Sequence, residues 1–252
     1  MTEPSAEPHD AGASAAPFTR LAGVYDAIMA DVPYDDWIDF VLHEATVRGF
    51  EGGATLDLAC GTGGATRPVH DRGFDVDGVD GSEAMLAVAR AKLPEVRFVR
   101  GDLRTFRTGR RYALIVSVFD SLNNMLDPDD FVRAVRRARR HLLPGGLFVF
   151  DANTRRGLAD LWDLGVAEGA TPEVRYRWVH RYDPEREIAT VEATCHDRHG
   201  RFTEVHHERP YDPDEVRRLM RRAGFDAVDV IVFPDGADAT SDDPRVWTIA
   251  RG

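Results

Sequence analysis

Apolar positions change their period along the chain, and each stretch predicts a different kind of structure. Between Ala54 and Asp151, apolar runs near 54–59, 75–80, 96–100, 112–118 and 146–151 alternate with segments of helical spacing near 64–72, 82–92 and 128–142. Strand and helix in regular alternation predict an α/β fold with a parallel, doubly wound sheet. Ser82 before Glu83 is placed to cap its helix, and Pro144-Gly145-Gly146 to part the last helix from its strand. After Asn153 the period becomes two. Antiparallel strands are expected near 173–182, 187–196 and 201–209, turned by Asp183-Pro184-Glu185 and His199-Gly200. Tyr176, Trp178, His180 and Tyr182 fall on one face of the first of these, with Arg175, Arg177 and Arg181 mostly on the other. That aromatic face must pack on something, which makes the insertion, about 173–210, a lid over a cleft or a homodimer surface. A helix over 212–223, placed between Asp212 as cap and Gly224 as stop, and strands near 226–233 and 245–251 complete the pattern.

Upstream, Tyr25 to Met29 and Tyr34 to Val41 read as short helices on either side of Pro33, a helical cap within 18–50. Residues 1–17, rich in Ala, Pro, Ser, Glu and Asp without periodicity, are expected to be disordered, leaving 18–252 as one domain with its insertion. The 252 residues suffice for that organisation. A net charge of −11 argues against a nucleic-acid substrate, and the Arg133–Arg140 run has the spacing of an amphipathic helix's wet face. Cys60 and Cys195 are far apart and lack a ligand cluster, so neither a disulfide framework nor a metal site is expected. Without a transmembrane-length run or signal core, a cytoplasmic protein with no membrane partner is the expectation. Lys92 is the single lysine, which argues against pyridoxal chemistry.

The chemistry concentrates in Leu56-Asp57-Leu58-Ala59-Cys60-Gly61-Thr62-Gly63-Gly64, an apolar run that drops into a glycine turn carrying one carboxylate. A pyrophosphate loop would need a third glycine where Thr66 stands. Asp57, Asp80, Asp102, Asp120 and Asp151 end five successive runs, and in a parallel sheet those ends share the edge where ligands bind. Such an edge repels a pyrophosphate by several kcal/mol in a partly desolvated cleft, and suits a ligand carrying a sulfonium and an ammonium. S-adenosylmethionine is such a ligand.

The chain resembles the class I S-adenosylmethionine-dependent methyltransferases over about 25–252, and within them the small-molecule group of glycine, sarcosine and amino-sugar N-methyltransferases. The resemblance rests on Asp57 to Gly63, Val79-Asp80-Gly81-Ser82 with Met85-Leu86, Gly101-Asp102-Leu103-Arg104, Phe119-Asp120-Ser121-Leu122-Asn123, His141 to Gly146 and Glu204 to Tyr211. It implies a seven-stranded sheet whose last strand is antiparallel, S-adenosylmethionine as cofactor and a small-molecule acceptor. Carried over residue by residue, it implies that Asp80 accepts from the ribose hydroxyls and Asp102 from the adenine amino group, with Leu103 covering the ring. Gly61 and Gly63, beside Ala59, admit the methionine portion, and Asp57 balances its ammonium. Met85 and Phe119 flank the adenine, Gly81, Ser82 and Gly101 flank the acids, and Tyr25 and Trp37 fold over the cofactor.

Catalysis is less defined, since in-line methyl transfer draws chiefly on proximity and alignment, and only a hydroxyl nucleophile requires a base. His206, with Glu204 and Glu208 on its own strand face, is the first candidate, followed by His180 and Asn123. Transfer to nitrogen is favoured over oxygen. An O-methyltransferase with a histidine base, a nicotinamide-dependent reductase, an RNA methyltransferase, which the charge disfavours, and a non-catalytic cofactor-binding protein are the competing readings.

Overall fold

The structure is a computed structural model that describes residues 14–162 and 165–252. The elements follow in chain order: β1 (Ser14–Ala15), α1 (Tyr25–Ile28), α2 (Tyr34–Val47), β2 (Thr55–Leu58), α3 (Thr66–Asp71), β3 (Val76–Asp80), α4 (Glu83–Lys92), β4 (Arg97–Arg100), β5 (Tyr112–Ser117), α5 (Pro128–His141) and β6 (Leu142–Asn153). Then come α6 (Arg155–Trp162), β7 (Val166–Ala170), β8 (Val174–Asp183), β9 (Ile188–Asp197), β10 (Gly200–Glu208), α7 (Pro213–Ala223), β11 (Val228–Ile231) and β12 (Arg245–Arg251). Single 3₁₀ turns occupy Leu21–Gly23 and Ser121–Asn124.

The main sheet has seven strands in the order β11-β12-β6-β5-β2-β3-β4. Every pair from β6 to β4 is parallel, whereas β12 runs antiparallel to β6. The order reverses between β2 and β5, which places a crevice beyond their carboxyl ends. One face of the sheet packs on α5 and α7 through Phe131, Val135, Phe148, Phe150, Val216 and Met220; the other packs on α2, α3 and α4 through Ile38, Val41, Val69, Leu86 and Trp247. The Arg133–Arg140 run lies on α5, whose Phe131, Val132, Ala134, Val135 and Ala138 turn inward, as the amphipathic spacing requires.

A second sheet, β1-β10-β9-β8-β7, is antiparallel except where β1 joins β10 in parallel. It departs from the sequence reading at both edges. Order begins before Phe18, because Ser14–Ala15 pair with Thr203–Glu204; the rest of the expected disordered tail, residues 1–13, lies outside the described residues. The insertion also starts earlier than 173, since β7 pairs along β8 from Val166. Here Gly169 leaves room for the Tyr176 ring, which a Cβ would meet at 2.4 Å. The aromatic face turns toward the body of the chain. Trp178 and Tyr182 pack with Leu158 of α6 and with Ala189, Val191 and Ala193, while Tyr176 packs with Leu21, Val24 and Phe202. The unforeseen helix α6 thus covers part of the face that suggested a dimer.

Two local expectations fail for identifiable reasons. Pro144-Gly145-Gly146 does not part α5 from β6 but lies inside the strand, since a Cβ at Gly146 would sit 3.0 Å from the carbonyl oxygens of Tyr112 and Ala113 and its absence lets β5 approach. Asp212 precedes α7 without capping it by its side chain; its carboxylate accepts from the Arg155 amide at 2.9 Å and pairs with the Arg155 guanidinium. Ser82 does cap α4, accepting from the Met85 amide at 3.2 Å. No helix among the described residues is long and apolar enough to cross a membrane.

Candidate active site

Two cavities open at the carboxyl edge of the main sheet, of about 210 Å³ and about 290 Å³, and both are lined by Phe18, Tyr25, Phe119 and Asn124. The smaller lies over the glycine loop. The larger lies between that loop and the second sheet.

The smaller cavity is built by the turn after β2. Ala59 and Gly61 take left-handed conformations there (φ 64° and 52°), and Gly64 lets the Tyr34 ring come within 2.7 Å of where a Cβ would be. Asp57 is fully buried and accepts from the Thr66 hydroxyl at 2.5 Å. Burial pushes its carboxyl up to about 7, against the Thr66 hydrogen bond and with help from Asp80. Asp80 accepts from the amides of Gly61 at 2.9 Å and Ser82 at 2.7 Å, and burial raises it in spite of those donors. Two carboxyls held upward in pKa by desolvation form a site that gains from an incoming cation. Met85, Leu103, Val118 and Phe119 complete the lining with an apolar slot. Thr66, at the position of the third glycine of a dinucleotide loop, is committed to Asp57, and a pyrophosphate would face both carboxyls. A sulfonium-ammonium ligand with an adenine and a ribose fits this donor set.

Backbone strain marks the same place. Phe18, Ala59, Phe119, Asp120 and Glu187 are the non-glycine residues at positive φ among those described, and all but Glu187 line one of the two cavities. Such strain collects where a site needs a fixed geometry.

The family of methyltransferase domains matches residues 55–146, the span that supplies most of this cavity's lining. A solved S-adenosylmethionine-dependent methyltransferase from Clostridium acetobutylicum superposes with a TM-score of 0.79 and 26% identity, covering 92% of this chain and 97% of that one. The chain is an S-adenosylmethionine-dependent methyltransferase. It is also similar to dTDP-3-amino-3,4,6-trideoxy-alpha-D-glucopyranose N,N-dimethyltransferase of Streptomyces venezuelae, 37% identical over 40% of this chain and 43% of that protein. A third relative, dTDP-4-amino-2,3,4,6-tetradeoxy-D-glucose N,N-dimethyltransferase of Saccharopolyspora spinosa, is 33% identical over 53% of this chain and 58% of its own length.

Of the cofactor residues expected from the sequence, Tyr25, Asp57, Ala59, Gly61, Asp80, Met85, Leu103 and Phe119 line the smaller cavity of the methyltransferase. Others support it from outside. Gly63 turns the loop, donating to the Cys60 carbonyl, and Gly81 and Ser82 follow β3, with Ser82 donating to the Phe18 carbonyl at 2.5 Å. Gly101 packs so closely that a Cβ would lie 2.7 Å from that of Phe106. Trp37 lines neither cavity; it packs against Tyr34, Phe119 and Trp247 and lies under the Arg245 guanidinium, 5.1 Å from its ring centre. Asp102 is drawn outside as well. Arg104 takes both of its oxygens, at 2.8 and 2.5 Å, and that ion pair holds its carboxyl below the usual range. Lys92, the single lysine, is tied to Asp26 at 2.6 Å, and Asp26 also accepts from Thr62 of the glycine loop, so the pair anchors α1.

The catalytic candidates separate. His206 and His180 both line the larger cavity. Burial pushes His180 down, favouring the neutral ring. His206 lies 3.4 Å from Glu204 and against the Phe18 ring, at 4.6 Å between centres. Asn123 lines neither cavity and is a structural clamp. It is fully buried, its amide donates to the carbonyls of Asn153 and Arg209 at 2.9 and 2.8 Å, and its oxygen accepts from the Asn153 amide at 3.0 Å.

Several lining residues escaped the sequence reading. Tyr34, Phe18 and Arg245 arrive from remote segments and carry no local signal, and Asn124 lies one residue beyond the Phe119–Asn123 motif. Glu208 did carry one, the period-two spacing that puts it on the face of His206. Tyr25 and Tyr34 are half-buried phenols raised well above the ordinary value of 10, chiefly by desolvation, so they act as neutral donors rather than bases.

Proposed function

We propose that this methyltransferase transfers its methyl group to the amino nitrogen of a small polar acceptor of the amino-sugar class. The carrying observation is the larger cavity. It meets the cofactor cavity along a shared rim and presents the carboxyls of Asp120 and Glu208 beside the aromatic ring of Trp178, a lining suited to a cationic amine on a small ring. The two sugar relatives carry their amines at different ring positions, so the similarity supports the class and leaves the position to the cavity. Bound S-adenosylmethionine supplies an electrophilic methyl group on a sulfonium. Around it the chain holds the ammonium and ribose through Asp57 and Asp80, excludes water with Phe18 and Tyr25, and aligns the acceptor in the larger cavity. His206 as a base for a hydroxyl acceptor is the second reading, supported by its place in the same cavity.

The test is turnover of labelled S-adenosylmethionine with a panel of dTDP-linked 3-amino and 4-amino deoxysugars and their hydroxyl counterparts. Methylation of amines alone supports the proposal, and methylation of hydroxyls alone overturns it. Homodimerisation through the insertion loses the feature that suggested it, because the aromatic face packs within the chain and the outward face carries Arg175, Arg177 and Arg181; light scattering measures the state. Cytoplasmic action is proposed on the free, buried cysteines Cys60 and Cys195 and on a cofactor made in the cytosol.

A further inference from the structure

We propose that Glu208 is the proton acceptor for the acceptor amine, binding it as an ammonium and freeing its lone pair within the larger cavity. This rests on the amine reading above and adds the residue that acts on the nucleophile.

Glu208 ends β10 on the strand face that carries Glu204 and His206, and it lines the larger cavity with Asp120, Arg245 and Asn153. The charges there do not balance. Arg245 donates to Asp151 and, at 3.0 Å, to Asp120, and the Asp120 amide also donates to Asp151 at 3.1 Å. The guanidinium is thus spent on two carboxylates while it lies over the rings of Trp37 and Phe119. Glu208 is left with the Asn153 amide as donor, and its Oε2 is buried with no hydrogen-bond partner among the described residues. A buried carboxyl oxygen without a donor is costly unless a ligand brings one. An ammonium brings several, together with the missing charge.

The groups around Glu208 reinforce this. Desolvation raises its carboxyl well above the usual range, Asp120 and Asp151 push the same way, and Arg245 opposes them. From α1, Tyr25 faces it as a neutral phenol; from β8 and β10, His180 and His206 line the same cavity. The empty cavity therefore favours the protonated form of Glu208. A cationic amine displaces that proton to solvent and forms an ammonium-carboxylate pair. Against the apolar walls formed by Trp178, Val191 and Ala193 the pair relaxes to neutral amine and neutral acid, because both ions lose solvation there. The nitrogen lone pair then forms the N–C bond as the C–S bond breaks with its electron pair left on sulfur. The methylated ammonium departs and Glu208 retains its proton, so one turnover converts R–NH₃⁺ to R–NH₂CH₃⁺ and releases the single proton displaced on binding.

The experiment uses the full chain, its Glu208→Gln and Glu208→Asp variants, and the aminodeoxysugar of the panel that turns over fastest. S-adenosylhomocysteine affinity, measured by calorimetry, should stay within about twofold in both variants, since Glu208 does not line the cofactor cavity. For Glu208→Gln, kcat/KM at pH 7 should fall by about 10²–10⁴-fold, the range for a proton acceptor, with Glu208→Asp between. The Gln deficit should shrink as pH rises toward the amine's own pKa, where solvent removes the proton instead; a merely structural loss would not recover. A Gln variant within about twofold of the parent on an amine that is methylated overturns the role of Glu208 and leaves the proposed function standing. Turnover restricted to hydroxyl sugars overturns both.

Discussion

Glu204 offers the sharpest test of how the site is closed. Its carboxylate is fully buried and accepts from the backbone amides of Phe18, Thr19 and Leu21 at 2.7, 3.2 and 2.9 Å, and from the Thr19 hydroxyl at 3.3 Å. These contacts fasten the segment that carries Phe18 across both cavities. Glu204→Gln removes the charge and turns one acceptor into a donor. Charge assistance is worth about 1 kcal/mol on each of three backbone bonds, and one stranded amide adds about 1–3 kcal/mol. Relief of the buried charge returns part of this, leaving a net loss of about 2–3 kcal/mol for segment closure. If closure is a condition for tight binding, the apparent Kd for S-adenosylhomocysteine rises by about 30–150-fold. Calorimetry measures that affinity, and hydrogen exchange over residues 15–24 reports the segment directly. Unchanged exchange together with a Kd within about twofold would refute the reasoning. Thr19→Ala, which removes the longest of the four bonds together with the hydroxyl's exposed bond to the Ala16 carbonyl, should stay within about twofold. The pH dependence follows from the same carboxyl: desolvation would raise it, but His206 and the backbone donors outweigh that and hold it below its ordinary 4.5. Its contribution is therefore present above that value and lost as pH falls through the lowered one.

The remaining expectations concern the cofactor side and the clamp. Asp57, pushed up to about 7, opposes folding of the ligand-free protein as pH rises from the ordinary 3.8 toward 7; thermal melts should show that loss, and Asp57→Asn should flatten it. S-adenosylmethionine affinity should move the opposite way in calorimetry, tightening between about pH 6 and pH 8 as the carboxylate forms to meet the ammonium. Asp80→Ala should weaken S-adenosylhomocysteine by about 1–3 kcal/mol, an unchanged affinity contradicting the ribose assignment. Asn123→Ala takes the side-chain partner from the Arg209 carbonyl and the Asn153 amide, while the Asn153 carbonyl keeps the Tyr211 amide; at about 1–3 kcal/mol for each buried group left unpaired, the melting temperature should fall while the folded fraction keeps its cofactor affinity.

The glycine turn after β2, the five acids at strand ends and the alternation of helix and strand were legible in the chain itself, because each is a local consequence of backbone and period. They pointed to the doubly wound sheet and the cofactor and, with the family resemblance, to eight of the eighteen residues that line the smaller cavity, Asp57 and Asp80 among them. Local pattern also placed Glu204, His206 and Glu208 on one face of β10. It could not say which would touch a ligand. That depended on contacts between segments far apart in sequence: Phe18 reaching Glu204 across 186 positions, Arg245 reaching Asp120 across 125 and Asn123 reaching Arg209 across 86. Asp102 and Asn123 look like site residues in sequence because carboxylates and amides bind ligands. Tertiary packing gave Asp102 to Arg104 and Asn123 to two backbone carbonyls, and left Glu208 with an oxygen that no other described group satisfies. Hydrogen-bond satisfaction is a property of the assembled fold, so the residue left unpaired for a ligand is decided there.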